Sequence, residues 1–183
     1  MKDDEISLVT QKLKWLRLPG MAEQLRPIVE KAATENLSAL QAVDRLCDEE
    51  KASRLRNAVD RRIRDARFPE VNTVDAFDFD FCPVRKKARA RYLALHDLAF
   101  IDKGVNPLFI GIPGTGKTFL ARALAFRACQ ANRRVVLVSA PKMLNDLHGA
   151  ELHGRLDRVL RKYTRAELLV IDDFAVLAMD PSQ

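Results

Sequence analysis

Residues Gly111-Ile112-Pro113-Gly114-Thr115-Gly116-Lys117-Thr118 place glycines, a lysine and a hydroxyl in the order G-x-x-x-x-G-K-[ST]. That order suits a phosphate chain. Glycines at 111, 114 and 116 allow backbone angles and a close approach that a Cβ forbids. Successive N–H groups can then turn inward as an anion-binding nest at the start of a helix, where the dipole favours negative charge. In this reading Gly111 to Phe119 line the phosphate site. Lys117 reaches the β- and γ-phosphates as the catalytic cation, and the Thr118 hydroxyl takes a place on Mg²⁺.

A second set of groups answers the first. Leu168-Leu169-Val170-Ile171 is an apolar run that ends in Asp172-Asp173. Paired carboxylates at the carboxyl edge of a strand are the expected partner of such a loop. Asp172 is expected to hold Mg²⁺ through water. Asp173 is expected near the γ-phosphate, orienting the attacking water. Cys47, Cys82 and Cys129 lie far apart without a C-x-x-C, which argues against a disulfide framework or a zinc site and suits a reducing cytoplasm. His148 and His153 fall on different faces of a helix, so a shared metal is not expected.

These groups need an α/β scaffold. Pro107-Leu108-Phe109-Ile110 reads as a short buried parallel strand before the loop. Phe119, Leu120, Ala123, Leu124, Ala125 and Ala128 recur at helical spacing after it. Arg134–Ser139 reads as a second buried strand. A helix opened by Pro141 carries Met143, Leu144 and Leu147, and later Leu156, Val159, Leu160 and Tyr163. Upstream, residues 1–67 read as all-helical. Ile6, Val9, Leu13 and Leu16 form one stripe, closed by Pro19-Gly20. A shorter stripe holds Met21, Leu25, Ile28 and Val29, with Pro27 marking a kink or a start. A capping box at Ser38–Gln41 opens a long helix expected to stop before Phe68-Pro69. Residues 68–83 read as a tether. In it Phe77, Phe79 and Phe81 alternate with Asp78 and Asp80, one aromatic face docking on the domain that follows. A helix from Val84 to about Phe100 leads into the nucleotide-binding core of residues 84–183.

The 183-residue chain is 48% hydrophobic and 31% charged, enough to bury a core. No run is long enough to span a membrane, and the N-terminus is not a signal peptide. The net charge of +6 is unevenly spread. Lys51, Arg54, Arg56, Arg61, Arg62, Arg64 and Arg67 face only Asp60 and Asp65. A second group, Arg85, Lys86, Lys87, Arg89 and Arg91, follows. Both read as lying outside the nucleotide site and as favouring an acidic polymer. Arginine suits bidentate phosphate contacts. Arg54, Arg61, Arg62 and Arg64, largely off the apolar stripe, are therefore the candidate DNA contacts.

Leu16-Arg17-Leu18-Pro19-Gly20-Met21-Ala22, Ala66-Arg67-Phe68-Pro69, Phe77-Asp78-Phe79, the phosphate loop and Leu168–Phe174 together resemble the IstB-like transposition helper ATPases. These are AAA+ proteins related to the DnaC helicase loaders and DnaA initiators. The resemblance runs over residues 8–181. It implies a P-loop AAA+ core after an all-α region, and an ATPase that assembles as an oligomer on double-stranded DNA for a transposase. Carried over by position, Gly111–Thr118 bind the phosphates of ATP, Asp172 the Mg²⁺ and Asp173 the catalytic water. Ile112 stands where the family commonly has proline, Phe119 where histidine is common, and Asp173 where most AAA+ proteins carry glutamate.

The resemblance also implies a strand between the loop strand and the Leu168–Asp172 strand, bearing the sensor-1 polar residue. That strand, the arginine finger and the helical lid would all follow residue 183. The expectation is a parallel core incomplete at its C-terminus, from a fragment or an early-ended reading frame, with open edges and weak hydrolysis. Three alternatives remain open on sequence grounds: a DnaC-like loader serving a replicative helicase, a non-hydrolysing module binding DNA or a partner, and a small P-loop kinase. The last lacks an acceptor pocket and lid.

Overall fold

Helical periodicity without a strand signal produces α1 (Lys2–Trp15), α2 (Pro19–Thr34) and α3 (Ala39–Ala66). The computed structural model describes residues 2–174, and the stretch Met179–Gln183 lies outside them. The chain divides into two units, Met1–Asp60 and Arg61–Gln183.

In the first unit, Arg17 turns left-handed at φ 59° and ends α1. Pro19 then occupies the first turn of α2, where its fixed φ suits a helix start and its missing N–H costs nothing. Pro27 lies inside α2, so the helix begins at Pro19 and runs through Pro27. A Cβ on Gly20 would stand 2.7 Å from both Glu49 O and Ser53 Cβ, so only glycine lets α2 start this close to α3. The capping box forms as expected: Ser38 N donates to Gln41 Oε1 at 2.8 Å, and Gln41 N donates to Ser38 Oγ at 3.2 Å. The expected stripes are not buried as a whole. Ala22, Leu25 and Ile28 of α2 are covered, yet Val9, Leu16, Leu40, Val43 and Leu55 are exposed. Periodicity marks a face that can be buried and does not supply a neighbour.

In the second unit α3 ends at Ala66, and Arg67 turns out of it at φ 52° ahead of Pro69. The tether makes a single 3₁₀ turn at Val74–Ala76, is extended at Phe77, and turns again over residues 79–82 before α4. Phe77 and Phe79 are buried, whereas Phe81 is 70% exposed, so the aromatic face docks through two rings of three. The single helix expected from Val84 to Phe100 is instead α4 (Pro83–Leu93) and the short α5 (Ala99–Asp102). Leu98 between them is left-handed at φ 62° and buried, which breaks the helix while keeping its side chain in the core. Next come α6 (Lys117–Gln130), β1 (Val135–Ser139), α7 (Ala140–Leu152), α8 (Leu156–Thr164) and β2 (Leu168–Asp172). The helix expected from Pro141 onward is thus two, parted at Gly154 with φ 64°.

β1 and β2 pair in parallel, Val135 opposite Leu168 through Ser139 opposite Asp172, and form the one sheet among the described residues. Parallel neighbours need a crossover, which α7 and α8 supply. Helix α6 centres the core: Ala125, Ala128 and Cys129 are fully buried, with Leu120 and Leu124 beside them. Each buried leucine contributes about 1.5–3 kcal/mol. The strand expected at Pro107–Ile110 is not formed. Leu108 is 75% and Ile110 85% exposed, because no strand among the described residues lies in a ladder with them. A strand is held by its neighbour's N–H and C=O groups; an apolar run alone does not make one. Here an α/β P-loop core has its helix, its loop and two of its parallel strands in place.

Candidate functional site

The loop turns on two glycines. Gly114 and Gly116 have φ of 79° and 91°, flanking Thr115. A Cβ on Gly116 would also overlap the Phe77 ring. Gly111 has no such φ, and a Cβ there would meet only Thr115 Oγ1 at 3.4 Å. Helix α6 begins directly after Gly116, and no side chain caps it. Its first amides therefore lack the oxygen that helix starts normally receive from a cap. Ile112 and Pro113 are exposed. The Lys117 ammonium donates to Ile112 O at 3.0 Å, and Thr115 Oγ1 donates to the same carbonyl at 2.9 Å. Phe119 spends its ring on Phe77, centroids 5.3 Å apart, so its side chain serves the core.

The carboxylates come from β2. Thr118 Oγ1 donates to Asp172 Oδ1 at 2.9 Å, joining residues 54 apart in sequence. The Asp173 amide donates to the same oxygen at 3.1 Å. On the other oxygen, Arg122 Nη2 lies 3.6 Å from Asp172 Oδ2. A hydroxyl and a carboxylate oxygen this close form a hard donor pair of the kind Mg²⁺ takes, leaving room for water and phosphate. Asp173 is exposed and left-handed at φ 52°, and its carboxylate makes no hydrogen bond or ion pair among the described residues.

Beside these aspartates lies a cavity of about 1120 Å³ in the second unit. Arg62, Arg67, Arg122, Arg134, Lys142, Arg158, Arg161, Lys162 and Arg165 line it, against Asp65, Asp172 and Asp173. Arg62 Nε is buried with no hydrogen-bond partner. Arg61 and Arg64 are exposed on α3. Arg54 is not free: its Nε donates to Glu50 Oε1 at 2.7 Å. The four arginines are thus in three different situations, and α8 adds Arg158, Arg161 and Lys162, which the sequence pattern of Leu156, Val159, Leu160 and Tyr163 did not single out.

The second basic group also needs correction. Arg85 does not lie outside the loop: its Nε donates to Thr115 O at 3.1 Å and its Nη2 to Gly114 O at 3.1 Å. Lys86 and Arg89 stand 3.8 and 3.9 Å from Asp80, so part of that charge is answered within the tether. Sequence reasoning missed Arg85 and Arg122 as groups touching the site. Arg122 had a signal, since it lies one helical turn after Thr118 on the same face. Arg85 had none, because its contacts depend on how the tether folds.

Burial rather than chemistry sets the titration of the groups behind the loop. Tyr92 is pushed up to about 12 by burial, and its hydroxyl donates to Leu120 O at 3.0 Å. Burial raises the Cys129 thiol to about 11, against the opposing field of Arg62, so it is not a poised nucleophile. Burial also holds His96 below its ordinary value, with Arg127 adding to the effect and Asp75 opposing it. No group of metal-ligating side chains of the His, Cys, Asp and Glu type is gathered among the described residues, and no helix there is long and apolar enough to cross a membrane.

The family model of IstB-like ATP binding proteins matches residues 11–183. An ATP-binding protein of insertion sequence IS5376 from Geobacillus stearothermophilus is 33% identical over 167 residues, covering 91% of this chain and 66% of the relative. One of insertion sequence IS232 from Bacillus thuringiensis subsp. berliner is 30% identical over 173 residues, 94% of this chain and 68% of the relative. One of insertion sequence IS21 from Pseudomonas aeruginosa is 30% identical over 168 residues, 92% and 63%. The chain therefore spans about two thirds of the length of these curated relatives.

Proposed function

Because the chain belongs to the IstB-like ATP-binding proteins, we propose that it is an ATP-binding helper of DNA transposition. In this reading it binds double-stranded DNA and a transposase in an ATP-dependent way and works as a homo-oligomer in the cytoplasm. The observation that carries the nucleotide half is the 2.9 Å contact between Thr118 Oγ1 and Asp172 Oδ1, beside an uncapped helix start. The amides at Gly114–Phe119 and the Lys117 ammonium take the phosphates of ATP. Thr118 and Asp172 hold Mg²⁺, which would neutralise charge on the β- and γ-oxygens when bound. Asp173 orients water. Lys117 must first leave Ile112 O, an exchange of one neutral acceptor for an anionic one, which favours phosphate.

Support for DNA comes from the basic lining of the cavity and from Arg61 and Arg64, exposed on α3. Phosphate contacts by such residues release counterions, so DNA binding should weaken steeply with salt. The transposase partner is supported by the names of the relatives, each tied to an insertion sequence.

The test is titration of the purified chain with mant-ATP, followed by DNA retention with and without ATP and Mg²⁺. Lys117→Ala should weaken mant-ATP by about tenfold or more, the worth of a hydrogen bond to a charged group, and should abolish ATP-dependent retention. Equal mant-ATP binding by wild type and Lys117→Ala would sink the reading.

A further inference from the structure

The tether reaches the phosphate loop from behind. Arg85 stands at the start of α4 and donates from Nε to Thr115 O and from Nη2 to Gly114 O, both at 3.1 Å. Its Nη1 donates to Asp78 O at 3.2 Å. The guanidinium also sits between two tether rings, 4.7 Å from the Phe77 centroid and 4.6 Å from Phe81. One side chain therefore joins the loop, the tether and α4.

The peptide bond turns those contacts into a statement about phosphate. In a planar trans peptide the C=O and N–H of one unit point in opposite directions. Holding the carbonyls of Gly114 and Thr115 toward Arg85 turns the amides of Thr115 and Gly116 to the opposite side. Those two amides belong to the anion nest. A cation on the carbonyl side also polarises each unit and strengthens its N–H as a donor. Phe77 closes the same face, lying where a Cβ on Gly116 would fall. Phe81 is exposed, and among the described residues its cation–π partner is Arg85 and no core residue explains its position.

We infer that Arg85 is a positioning residue for the phosphate loop, held by Phe77 and Phe81, and that it links ATP occupancy to the order of residues 77–85. The inference rests on the ATP-binding reading above and adds a second role for the tether. Linkage is reciprocal: if an ordered tether favours ATP, bound ATP must order the tether to the same extent. The action of Arg85 passes through the two peptide units whose carbonyls it holds.

The test uses the full chain. Arg85→Gln should weaken mant-ATP by about fivefold or more, within the usual range of coupling between sites, at a temperature where circular dichroism shows the ATP-free variant still folded. Arg85→Lys, which keeps the charge and loses the fork, should recover only part of the affinity. ATP should slow amide exchange across residues 77–85 in wild type, and should not in Arg85→Gln. Phe81→Ala removes an exposed ring without opening the core, so it keeps the test alive if Arg85→Gln fails to fold. It should weaken mant-ATP about twofold, with the same loss of protection. Wild-type affinity in Arg85→Gln, or in Phe81→Ala and Arg85→Lys together, overturns the inference. Wild type that binds no more mant-ATP than Lys117→Ala overturns the ATP reading instead.

Discussion

Two helices in this molecule start beside a glycine that cannot be replaced without a collision, and they are finished in opposite ways. Helix α2 begins at Pro19, and its first amides already have an anion. Gly20 N donates to Glu50 Oε2 at 2.8 Å and Met21 N to the same oxygen at 3.3 Å. Glu50 is 5% exposed and also holds Arg54. Helix α6 begins after Gly116, and no side chain caps it. The dipole at both starts favours negative charge. In α2 the chain supplies that charge; in α6 the charge must come from a ligand. The Leu-Arg-Leu-Pro-Gly-Met stretch and the phosphate loop are thus two solutions to one problem, and only the second has no side-chain acceptor at its first amides among the described residues.

The hardest way to break this comparison is to give both glycines a Cβ. Gly116→Ala places an L-residue at φ 91° and drives its methyl into Phe77. The left-handed angle costs about 1–2 kcal/mol and the overlap about 1–3 kcal/mol more. mant-ATP binding should be lost, and thermal melting should fall. Gly20→Ala meets the Glu49 carbonyl and Ser53 Cβ at 2.7 Å and should cost about 1–3 kcal/mol in urea denaturation. Its mant-ATP affinity should stay at the wild-type value. If Gly20→Ala weakens the nucleotide as much as Gly116→Ala does, the two starts do not have separate duties.

Much of this contrast can be read in the residues alone, and the unread part has a physical cause. The loop, the helix after it and the paired runs at Val135 and Leu168 follow from local spacing. So does the capping box at Ser38. The long helix ends where Pro69 requires it. What spacing cannot give is a partner. Pro107–Ile110 has the composition of a strand and finds no ladder to join among the described residues, so Leu108 and Ile110 stay exposed. The stripe of Leu40, Val43 and Leu55 has the period of a buried face and no cover. Leu98 breaks a helix through a backbone angle that no motif announces. At the candidate site, Lys117, Thr118 and Asp172 stand out in the sequence because each residue type suits a phosphate or a metal, and the structure brings Thr118 and Asp172 together. Arg85 looked like one more basic residue, since its role depends on a tether folded back onto the loop.

Removing the internal anion is the next test. Glu50→Ala leaves the first amides of α2 and the Arg54 guanidinium without their acceptor, at about 1–3 kcal/mol. The pH dependence has a definite sign. Burial opposes ionisation of Glu50, and the Arg54 side chain with the amides of Met21 and Gly20 outweighs it, so the carboxyl titrates below its ordinary 4.5. A depressed folded-state pKa gives stability that is fully present above the unfolded value and is lost as pH falls through the folded one. The urea midpoint of wild type should therefore drop on acidification below about pH 4.5, and Glu50→Gln should flatten that limb. An unchanged acid limb in Glu50→Gln would place the sensitivity elsewhere. mant-ATP affinity at neutral pH should not move in either variant.

The smallest effect concerns what holds the site ready when no ligand is bound. Arg122 lies 3.6 Å from Asp172 Oδ2, with side chains 29% and 28% exposed. Pairs this accessible are worth about 0.5 kcal/mol. Two roles are compatible with the contact, and they predict opposite signs. If the guanidinium competes with Mg²⁺ for Asp172, Arg122→Gln should tighten Mg²⁺ about twofold, which is that energy expressed as a binding ratio. If it orients the carboxylate toward Thr118, the same change should loosen Mg²⁺. Geometry favours competition: Thr118 Oγ1 and the Asp173 amide already fix Oδ1, so Oδ2 needs no further orientation. The expected outcome is tighter Mg²⁺ in Arg122→Gln, read as the Mg²⁺ dependence of mant-ATP fluorescence. A looser site would mean that Arg122 prepares the carboxylate, and that α6 supplies its own cation much as α2 is supplied with its own anion.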